Sequence, residues 1–212
     1  MNLSKKSVLW RHDIDFSLGM AEKIARIESN EGVKSTYFIL LHGEFYNLLE
    51  KESSEVLLRI IKLGHDIGLH FDTHYYKITN RSNLVEYLLF EKAILEKIFK
   101  VQIKSFAFHI TDDLTRSFHE RTYGSLINVY SKYLREICDY CSDSNGYWRF
   151  RRLEDVLVEA KAKYLHVLTH PAFWQEKIIS PKQRLWNVIK ERSNRTKNWY
   201  KHMTITYGRK YF

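Results

Sequence analysis

Two kinds of hydrophobic pattern alternate along the chain. Short β-branched and aromatic runs predict strands, and longer segments with apolar residues three and four positions apart predict helices. The predicted strands are residues 7–11, 35–40, 65–69, 105–108, 136–141 and 164–169. The predicted helices are residues 18–32, 53–64, 82–99 and 152–163, and a last one that Ser180 caps and Pro181 opens. This alternation predicts a parallel sheet, either doubly wound or closed as a barrel.

The length and composition of the chain fit one folded domain. Its 212 residues are 44% hydrophobic and 15% aromatic, which suffices for a sizeable core and excludes general disorder. The first residues contain no apolar run of signal-peptide length, and no stretch approaches the ~20 apolar residues that span a bilayer. We therefore expect a cytoplasmic protein.

The chain contains two cysteines, Cys138 and Cys141, which form one C-x-x-C pair. Such a pair can be redox-active or can supply half of a zinc site. Because no second pair exists, we expect both to be small buried residues.

The net charge of +9 is uneven, since residues 182–212 contain nine Lys or Arg and one Glu. Trp186, Trp199 and Tyr200 lie among these basic residues. The segment is either a solvated basic helix or a surface for peripheral membrane contact or an acidic substrate. No recognised nucleic-acid-binding module accompanies the charge, so we expect no nucleic-acid partner. The expected organisation is a catalytic domain over residues 1–180 and a basic helix and tail over residues 181–212.

Polar residues that could do chemistry lie just past the predicted strand ends. They are Asp13, Asp15, His70, His109, Asp143 and His170. Parallel α/β folds place their active sites at the carboxyl ends of strands, where loops from several strands converge. The sequence therefore predicts one site on one rim. His65, at the other end of its strand, is expected to be structural.

The segments HFDTH and RHDID supply metal-binding residue types. His70 and His74 are four apart, a spacing that brings two imidazoles together on a helix face or in a tight loop. Asp13 or Asp15 would complete a set of two histidines and one carboxylate that leaves coordination positions open. The other Asp could then act as a general base. Capping of the following helix is a rival role for Asp15.

LTHPAFW places His170 at the last strand end, with Pro171 directly after it. Histidine titrates near neutrality, so His170 could protonate a leaving group. A hydrogen-bonded structural histidine is the alternative when the segment is considered alone.

Together these segments resemble the motifs of the polysaccharide deacetylase family, also called the NodB-homology domain or carbohydrate esterase family 4. GHDIGLHFDTH is similar to the family's G-H-E-I-G-x-H-[ST]-x-x-H, with Asp66 in place of Glu and Phe71 in place of Ser or Thr. RHDID resembles the first motif and LTHP resembles a late L-[ST]-x-H motif. The resemblance extends over residues 8–174 and implies a single α/β domain, a distorted (β/α) barrel of the polysaccharide deacetylase type.

Carried over by position, the resemblance implies a role for each residue. Asp13 would be the base and His170 the acid. One divalent metal ion would be held by Asp15, His70 and His74, with Asp13 as the alternative carboxylate ligand. Zn²⁺ is the expected ion, and Co, Fe, Ni and Mn are alternatives.

The chain departs from the family's pattern in three places. Ile14 occupies the position at which members with adjacent aspartates have their metal ligand, so the D-x-D form resembles a variant subgroup. His109 stands where the third motif has an Arg that tunes the base. The acyl-pocket motif is only loosely matched by the segment SDSNGYWR. The expected substrate-contacting or supporting residues are Arg11, His109, Asp143, Trp148 and Arg149.

The resemblance implies metal-assisted hydrolysis of an N-acetyl or related N-acyl group on a sugar. For a cytoplasmic chain we expect a nucleotide sugar or a lipid-linked saccharide of lipopolysaccharide or O-antigen assembly, at the inner face of the membrane. Two alternatives are a hydrolase of another C–N bond on the same fold and a non-catalytic saccharide-binding member. A binding module needs neither a base nor an acid, so the presence of both Asp13 and His170 argues against the last.

Overall fold

The computed structural model describes residues 6–208, in which eight strands form one sheet. The strands are β1 (Ser7–Ile14), β2 (Thr36–Leu40), β3 (Asp66–Phe71), β4 (Ser105–Phe108), β5 (Thr122–Tyr123), β6 (Leu126–Asn128), β7 (Asp139–Ser142) and β8 (Tyr164–Thr169). The helices are α1 (Leu18–Asn30), α2 (Lys51–Lys62), α3 (Arg81–Phe99), α4 (Asp113–Ser117), α5 (Lys132–Ile137), α6 (Leu153–Glu159) and α7 (Pro181–Thr206). Short 3₁₀ turns cover Ser144–Gly146 and Pro171–Phe173.

The strand order is β5-β6-β4-β3-β2-β1-β8-β7, and every pair is parallel except β5 with β6. The sheet curls into a half barrel whose edges are β5 and β7. The parallel α/β prediction is confirmed, in its distorted-barrel form. Because β1 lies between β2 and β8 in the sheet, the residues that follow it are flanked by the ends of these two strands.

The predicted strand 136–141 is displaced in the structure. Its first two residues belong to α5, which Ser131 caps by accepting a hydrogen bond from the Leu134 N–H at 3.4 Å. The strand itself is β7, Asp139–Ser142. The sequence patterns also missed α4, β5 and β6, which are too short to show a period.

Alternation along β3 divides its residues between the two faces of the sheet. Ile67, Leu69 and Phe71 lie in the core between the sheet and the helices, whereas Gly68 and His70 lie on the concave face. A Cβ at Gly68 would lie 2.5 Å from Cε1 of Phe38, so this position requires glycine. The strand therefore holds His70 on the inside of the half barrel.

A buried polar network fixes β1 against its neighbours. His12 contacts Glu28 of α1 through Nε2 at 2.7 Å and Thr169 of β8 through Nδ1 at 2.6 Å. The Tyr37 hydroxyl donates to the same Glu28 at 2.7 Å. His65 is buried and its Nε2 lies 2.9 Å from the Ala25 carbonyl oxygen, which matches its predicted structural role.

Helix α7 begins directly after residue 180 and is tied to the body of the protein by arginines. Arg184 donates to the Phe173 carbonyl, and Arg192 pairs with Glu50 at 3.4 Å. The predicted division into residues 1–180 and residues 181–212 stays a prediction. The first five residues of the one segment and the last four of the other, residues 1–5 and 209–212, lie outside the described residues. Within residues 6–208, no helix combines the length and the apolar character needed to cross a membrane.

Cys138 and Cys141 are buried free thiols, as the sequence predicts. Burial raises the pKa of both thiols above the ordinary value. Both groups therefore stay protonated and unreactive near neutral pH.

Candidate active site

The end of β1 presents two aspartates to the concave face. Asp13 is the second-last residue of the strand and is 2% exposed, and Asp15 follows the strand directly. The N-cap of α1 is Ser17, whose Oγ accepts a hydrogen bond from the Met20 N–H at 3.2 Å. Because Ser17 takes the capping role, the Asp15 carboxylate is left to face the histidines of neighbouring strands.

Asp15, His70 and His109 form a tight cluster. Oδ1 of Asp15 lies 2.9 Å from Nε2 of His70 and 3.4 Å from Nδ1 of His109. The two ring nitrogens are 3.4 Å apart. The three potential metal-ligand atoms all lie within 4.8 Å of one another. Among the acidic, histidine and cysteine side chains of residues 6–208, this is the cluster close enough to hold one metal ion.

The hydrogen bonds of His70 suit a metal ligand. Nδ1 of His70 lies 3.2 Å from the carbonyl oxygen of Ala107, which can only accept, so this nitrogen carries a proton. Its Nε2 faces the Asp15 oxygen 2.9 Å away, and in the tautomer with the proton on Nδ1 it is Nε2 that carries the lone pair able to bind a metal. A shared proton or a shared metal ion can hold the two atoms at this distance. A carboxylate and two imidazoles suit Zn²⁺ and related divalent ions, so these residues fit a metal.

The ionisation state of Asp15 suits a metal ligand. Burial alone would raise the pKa of Asp15, but hydrogen bonds with His109 and His70 hold it well below its usual range. Burial alone would lower the pKa of His109, whereas the hydrogen bond with Asp15 raises it above the ordinary value. The carboxylate therefore stays ionised, the form in which it binds a metal.

The structure does not bring His74 into this cluster. Strand β3 ends at Phe71, and Asp72 Oδ1 accepts a hydrogen bond from the His74 N–H at 2.8 Å, so the chain turns away. The His74 side chain is 53% exposed and its Nε2 lies 3.1 Å from Asp112 Oδ2. A four-residue spacing joins two imidazoles only where the backbone curls back between them, which this turn prevents. His109, predicted as a supporting residue, takes the third position.

Asp13 lies beside the cluster in contact with Arg11. Its Oδ2 is 3.9 Å from Nε2 of His70 and 3.5 Å from Nη2 of Arg11. The same Nη2 donates to the Tyr130 hydroxyl at 2.8 Å, and the guanidinium lies over the rings of Tyr130 and Phe38. Asp13 Oδ1 is buried without a hydrogen-bond partner among the described residues, as expected of an oxygen reserved for a ligand or a proton.

Arg11 therefore supplies the positive charge beside Asp13. The family's third motif, which the chain matches poorly, would place an arginine at position 109. Here the guanidinium comes from β1, two residues before Asp13 and on the same face of the strand. The sequence predicted a substrate-contacting or supporting role for Arg11, and the structure places it beside Asp13. Tyr130, which holds the guanidinium, was missed because it lies in a segment with no recognised motif.

His170 lies beside Asp15 and is held by Asp143. Nδ1 of His170 lies 2.7 Å from Asp143 Oδ1, and Nε2 lies 3.8 Å from Asp15 Oδ2. The Trp174 indole N–H donates to Asp143 Oδ2 at 2.9 Å. Burial would lower the pKa of His170, but the hydrogen bond with Asp143 and the charge of Asp15 raise it to about 9. His170 therefore carries a proton at neutral pH, with Nε2 directed to the rim.

Two other predicted residues lie further out. Trp148 is half-buried and packs edge-on against Trp174, with ring centroids 6.3 Å apart, so it contacts the site through that ring. Arg149 is exposed in the loop after β7, and the structure does not bring it to the cluster. Trp174 was missed, although it follows His170 by four residues in the quoted LTHPAFW.

Comparisons with protein-family models and with curated proteins find no match. Solved structures do match. The catalytic domain of a peptidoglycan N-acetylglucosamine deacetylase from Eubacterium rectale is 15% identical, with 92% of this chain and 87% of that chain covered and a TM-score of 0.54. The peptidoglycan deacetylase PdaC from Bacillus subtilis is 14% identical, with 97% and 99% covered and a TM-score of 0.53.

A third match is a pseudoenzyme of carbohydrate esterase family 4 from Bacillus anthracis, 16% identical, with 92% of this chain and 63% of that chain covered and a TM-score of 0.50. Identities this low establish a common fold and leave the activity to be argued from the site itself. The chain has the fold of the polysaccharide deacetylases, the NodB-type domain of carbohydrate esterase family 4, which its sequence motifs resemble.

Proposed function

We propose that this chain is a metal-dependent hydrolase that removes an N-acetyl or related N-acyl group from a sugar. One observation carries the proposal. The cluster of Asp15, His70 and His109 lies beside a buried carboxylate, Asp13, and a charged histidine, His170, at the carboxyl ends of the strands. A metal site with a base and an acid next to it is the arrangement that amide hydrolysis needs.

Asp15, His70 and His109 would hold a divalent metal ion, with Zn²⁺ as our proposal for its identity. When bound, such an ion polarises an acyl oxygen and makes water easier to deprotonate. The three side chains leave the remaining coordination positions to water and substrate. His70 is kept in the required tautomer by the Ala107 carbonyl.

Asp13 would take the proton of the attacking water. Its unpartnered Oδ1 is available to accept that proton, while Arg11 holds Oδ2 from the other side. Tyr130 and Phe38 fix the guanidinium in turn.

His170 would protonate the departing amine. Asp143 and Trp174 hold the ring so that Nε2 faces the rim, and Asp143 stabilises the imidazolium. Base and acid thus both lie next to the cluster, Asp13 at 3.9 Å from His70 and His170 at 3.8 Å from Asp15. The products would be a carboxylic acid, acetate for an N-acetyl group, and an amino sugar.

Two other functions compete with this one. The family 4 fold also occurs in a pseudoenzyme, so a non-catalytic saccharide-binding role is a true alternative. The retained Asp13 and the Asp143–His170 pair favour catalysis over binding alone. Hydrolysis of a C–N bond in a substrate other than a sugar would use the same catalytic groups. Only an assay that compares the two kinds of substrate distinguishes this function from the proposed one.

Acetate release tests the proposed function directly. The full chain, purified with its metal, is incubated with N-acetylglucosamine oligosaccharides and with a nucleotide-linked N-acetylglucosamine, and acetate is measured with and without a chelator. We expect release from at least one substrate, loss of release after chelation and recovery on addition of Zn²⁺. Release that continues unchanged after complete metal removal would contradict the proposal.

For the substrate's context we propose a lipid-linked saccharide, processed by a cytoplasmic chain at the inner face of a membrane. Trp186, Ile189 and Tyr200 are 55%, 41% and 50% exposed on α7, at spacings that place them on one side of the helix. Exposed lysines lie in the same helix: Lys182, Lys190, Lys197 and Lys201. Aromatic and aliphatic groups flanked by lysines suit an anionic membrane surface.

Sedimentation with vesicles tests this surface. We expect the protein to bind phosphatidylglycerol-containing vesicles, and the double substitution Trp186→Ser with Ile189→Ser to weaken binding by about tenfold or more, because apolar burial supplies part of the affinity. Phe150→Ser, which removes a side chain that is 94% exposed outside α7, should change nothing. Equal binding to neutral vesicles, or equal binding by the double variant, would exclude this role for α7.

A further inference from the structure

A cavity lies inside the half barrel, toward the amino ends of the strands and away from the proposed active site. Its volume is about 580 Å³. Strand residues such as Leu9 and Thr36 line one side, and α5 lines another. Most of the wall is apolar, formed by Leu9, Phe38, Ile127, Val129, Leu134 and Ile137. A volume between roughly 300 and 1,000 Å³ is typical of small-molecule sites.

Among the polar residues that line this cavity, Arg11 is a buried cation with unpaired N–H groups. Arg11 is 2% exposed and separates the cavity from Asp13 along β1. Its Nη2 contacts Asp13 and Tyr130, on the side of the active site. Its Nε and Nη1 are buried and make no hydrogen bond within residues 6–208. A buried guanidinium N–H without an acceptor is unfavourable, so the cavity lacks an acceptor that a ligand could supply.

The remaining charges around the cavity favour an anion. Arg121 borders it, with its guanidinium over the Tyr133 ring at 4.7 Å from the centroid. Asp66, an acid at the border, is paired with Lys34 at 3.0 Å. Burial and the charge of Arg11 lower the pKa of His166 to about 3, so this imidazole is neutral and adds no charge at pH 7.

We propose that this cavity binds a small carboxylate with an apolar chain. The carboxylate accepts hydrogen bonds from the free guanidinium nitrogens of Arg11, and the chain packs against the aliphatic wall that includes Leu134 and Ile137. A single carboxylate fits better than a phosphate, because one buried guanidinium in an apolar wall cannot satisfy the several oxygens of a doubly charged group. The site shares Arg11 with the proposed active site but does not require the metal.

Calorimetric titration of the full chain with sodium octanoate tests this site, and octanamide serves as the neutral probe of equal length. We expect saturable octanoate binding and octanamide binding that is weaker by about 10- to 100-fold, the range for a hydrogen bond to a charged group. Val129→Trp fills the cavity and should abolish binding. Val158→Trp, at a position that is 81% exposed on α6, is the matched control and should bind as the parent does.

A carboxylate could also bind at the proposed active site. A variant of that site, Asp15→Asn, distinguishes binding there from binding in the cavity. Asp15→Asn should leave octanoate binding unchanged. No saturable binding, equal affinity for octanamide, or loss of binding in Asp15→Asn would each overturn the proposal. Circular dichroism confirms that each variant is folded, and Leu134→Trp replaces Val129→Trp as the filling variant if the latter is not. Undiminished binding by the folded filling variant would also overturn it.

Discussion

Asp13→Asn is expected to lower the turnover number for N-acyl hydrolysis by about 10²- to 10⁴-fold, the usual contribution of a general base. The amide keeps the size of the carboxylate but cannot take up the proton of the attacking water. It also leaves Arg11 without its 3.5 Å ion pair. Steady-state acetate release by the metal-loaded variant measures the effect.

The metal content of Asp13→Asn decides between its two candidate roles. As a base, Asp13 can be replaced without loss of the ion, because Asp15, His70 and His109 remain. If Asp13 were the carboxylate ligand, the variant would lose both metal and activity. Asp113→Asn, at a fully exposed acid of α4, is the control and should retain full activity. Full activity in Asp13→Asn would show that the base is another group.

His170→Ala is expected to lower the same rate by about 10²- to 10⁴-fold through loss of the acid. The loss should depend on the leaving group, because an amine must be protonated as it departs and a nitrophenolate need not be. Hydrolysis of 4-nitrophenyl acetate should therefore fall much less than hydrolysis of an N-acetyl sugar. Parallel kinetics on the two substrates measure this difference.

A structural role for His170 gives a different result. If His170 only kept the active-site loops in place, His170→Ala would lower the hydrolysis rates of both substrates equally. That outcome would contradict the assignment of His170 as the acid. His202→Ala removes an exposed histidine of α7 and should leave both rates unchanged. Asp143→Asn is expected to lower the rate of N-acyl hydrolysis less than His170→Ala does, because Asp143 only positions the imidazole and favours its protonated form.

The sequence predicted the strands and the rim well, because both follow from simple periodicity. Alternation along β1 places Asp13 and Asp15 on one face, and the carboxyl ends of parallel strands meet at one edge. The capping question for Asp15 could not be answered in advance, since Ser17 is an equally good cap by residue type. Its hydrogen bond to Met20 answers it.

The third member of the cluster was beyond the sequence for a physical reason. The spacing of His70 and His74 allows both imidazoles to reach one metal ion, but the backbone between them decides where the rings point. Asp72 closes a turn there and carries His74 outward to Asp112. His109 reaches the cluster from the adjacent strand β4, through a pairing of β3 with β4 that no local pattern encodes.

The supporting contacts were also hidden, because they join distant segments. Arg11 and Tyr130 are 119 residues apart, and Asp143 and Trp174 are 31 apart. The misplaced strand near residue 139 has a local cause, since the Ser131 cap draws the start of the apolar run into α5. Long-range contacts of this kind appear only once the strand order is known.

Metal content is the measurement that tests the central claim most directly, namely that Asp15, His70 and His109 hold a divalent ion. Elemental analysis compares the wild type with His109→Ala and His74→Ala after identical purification in Zn²⁺-containing medium. We predict roughly one ion per chain in the wild type and in His74→Ala, and little in His109→Ala. Metal that is lost in His74→Ala and kept in His109→Ala, or a wild type that binds none, would contradict the claim.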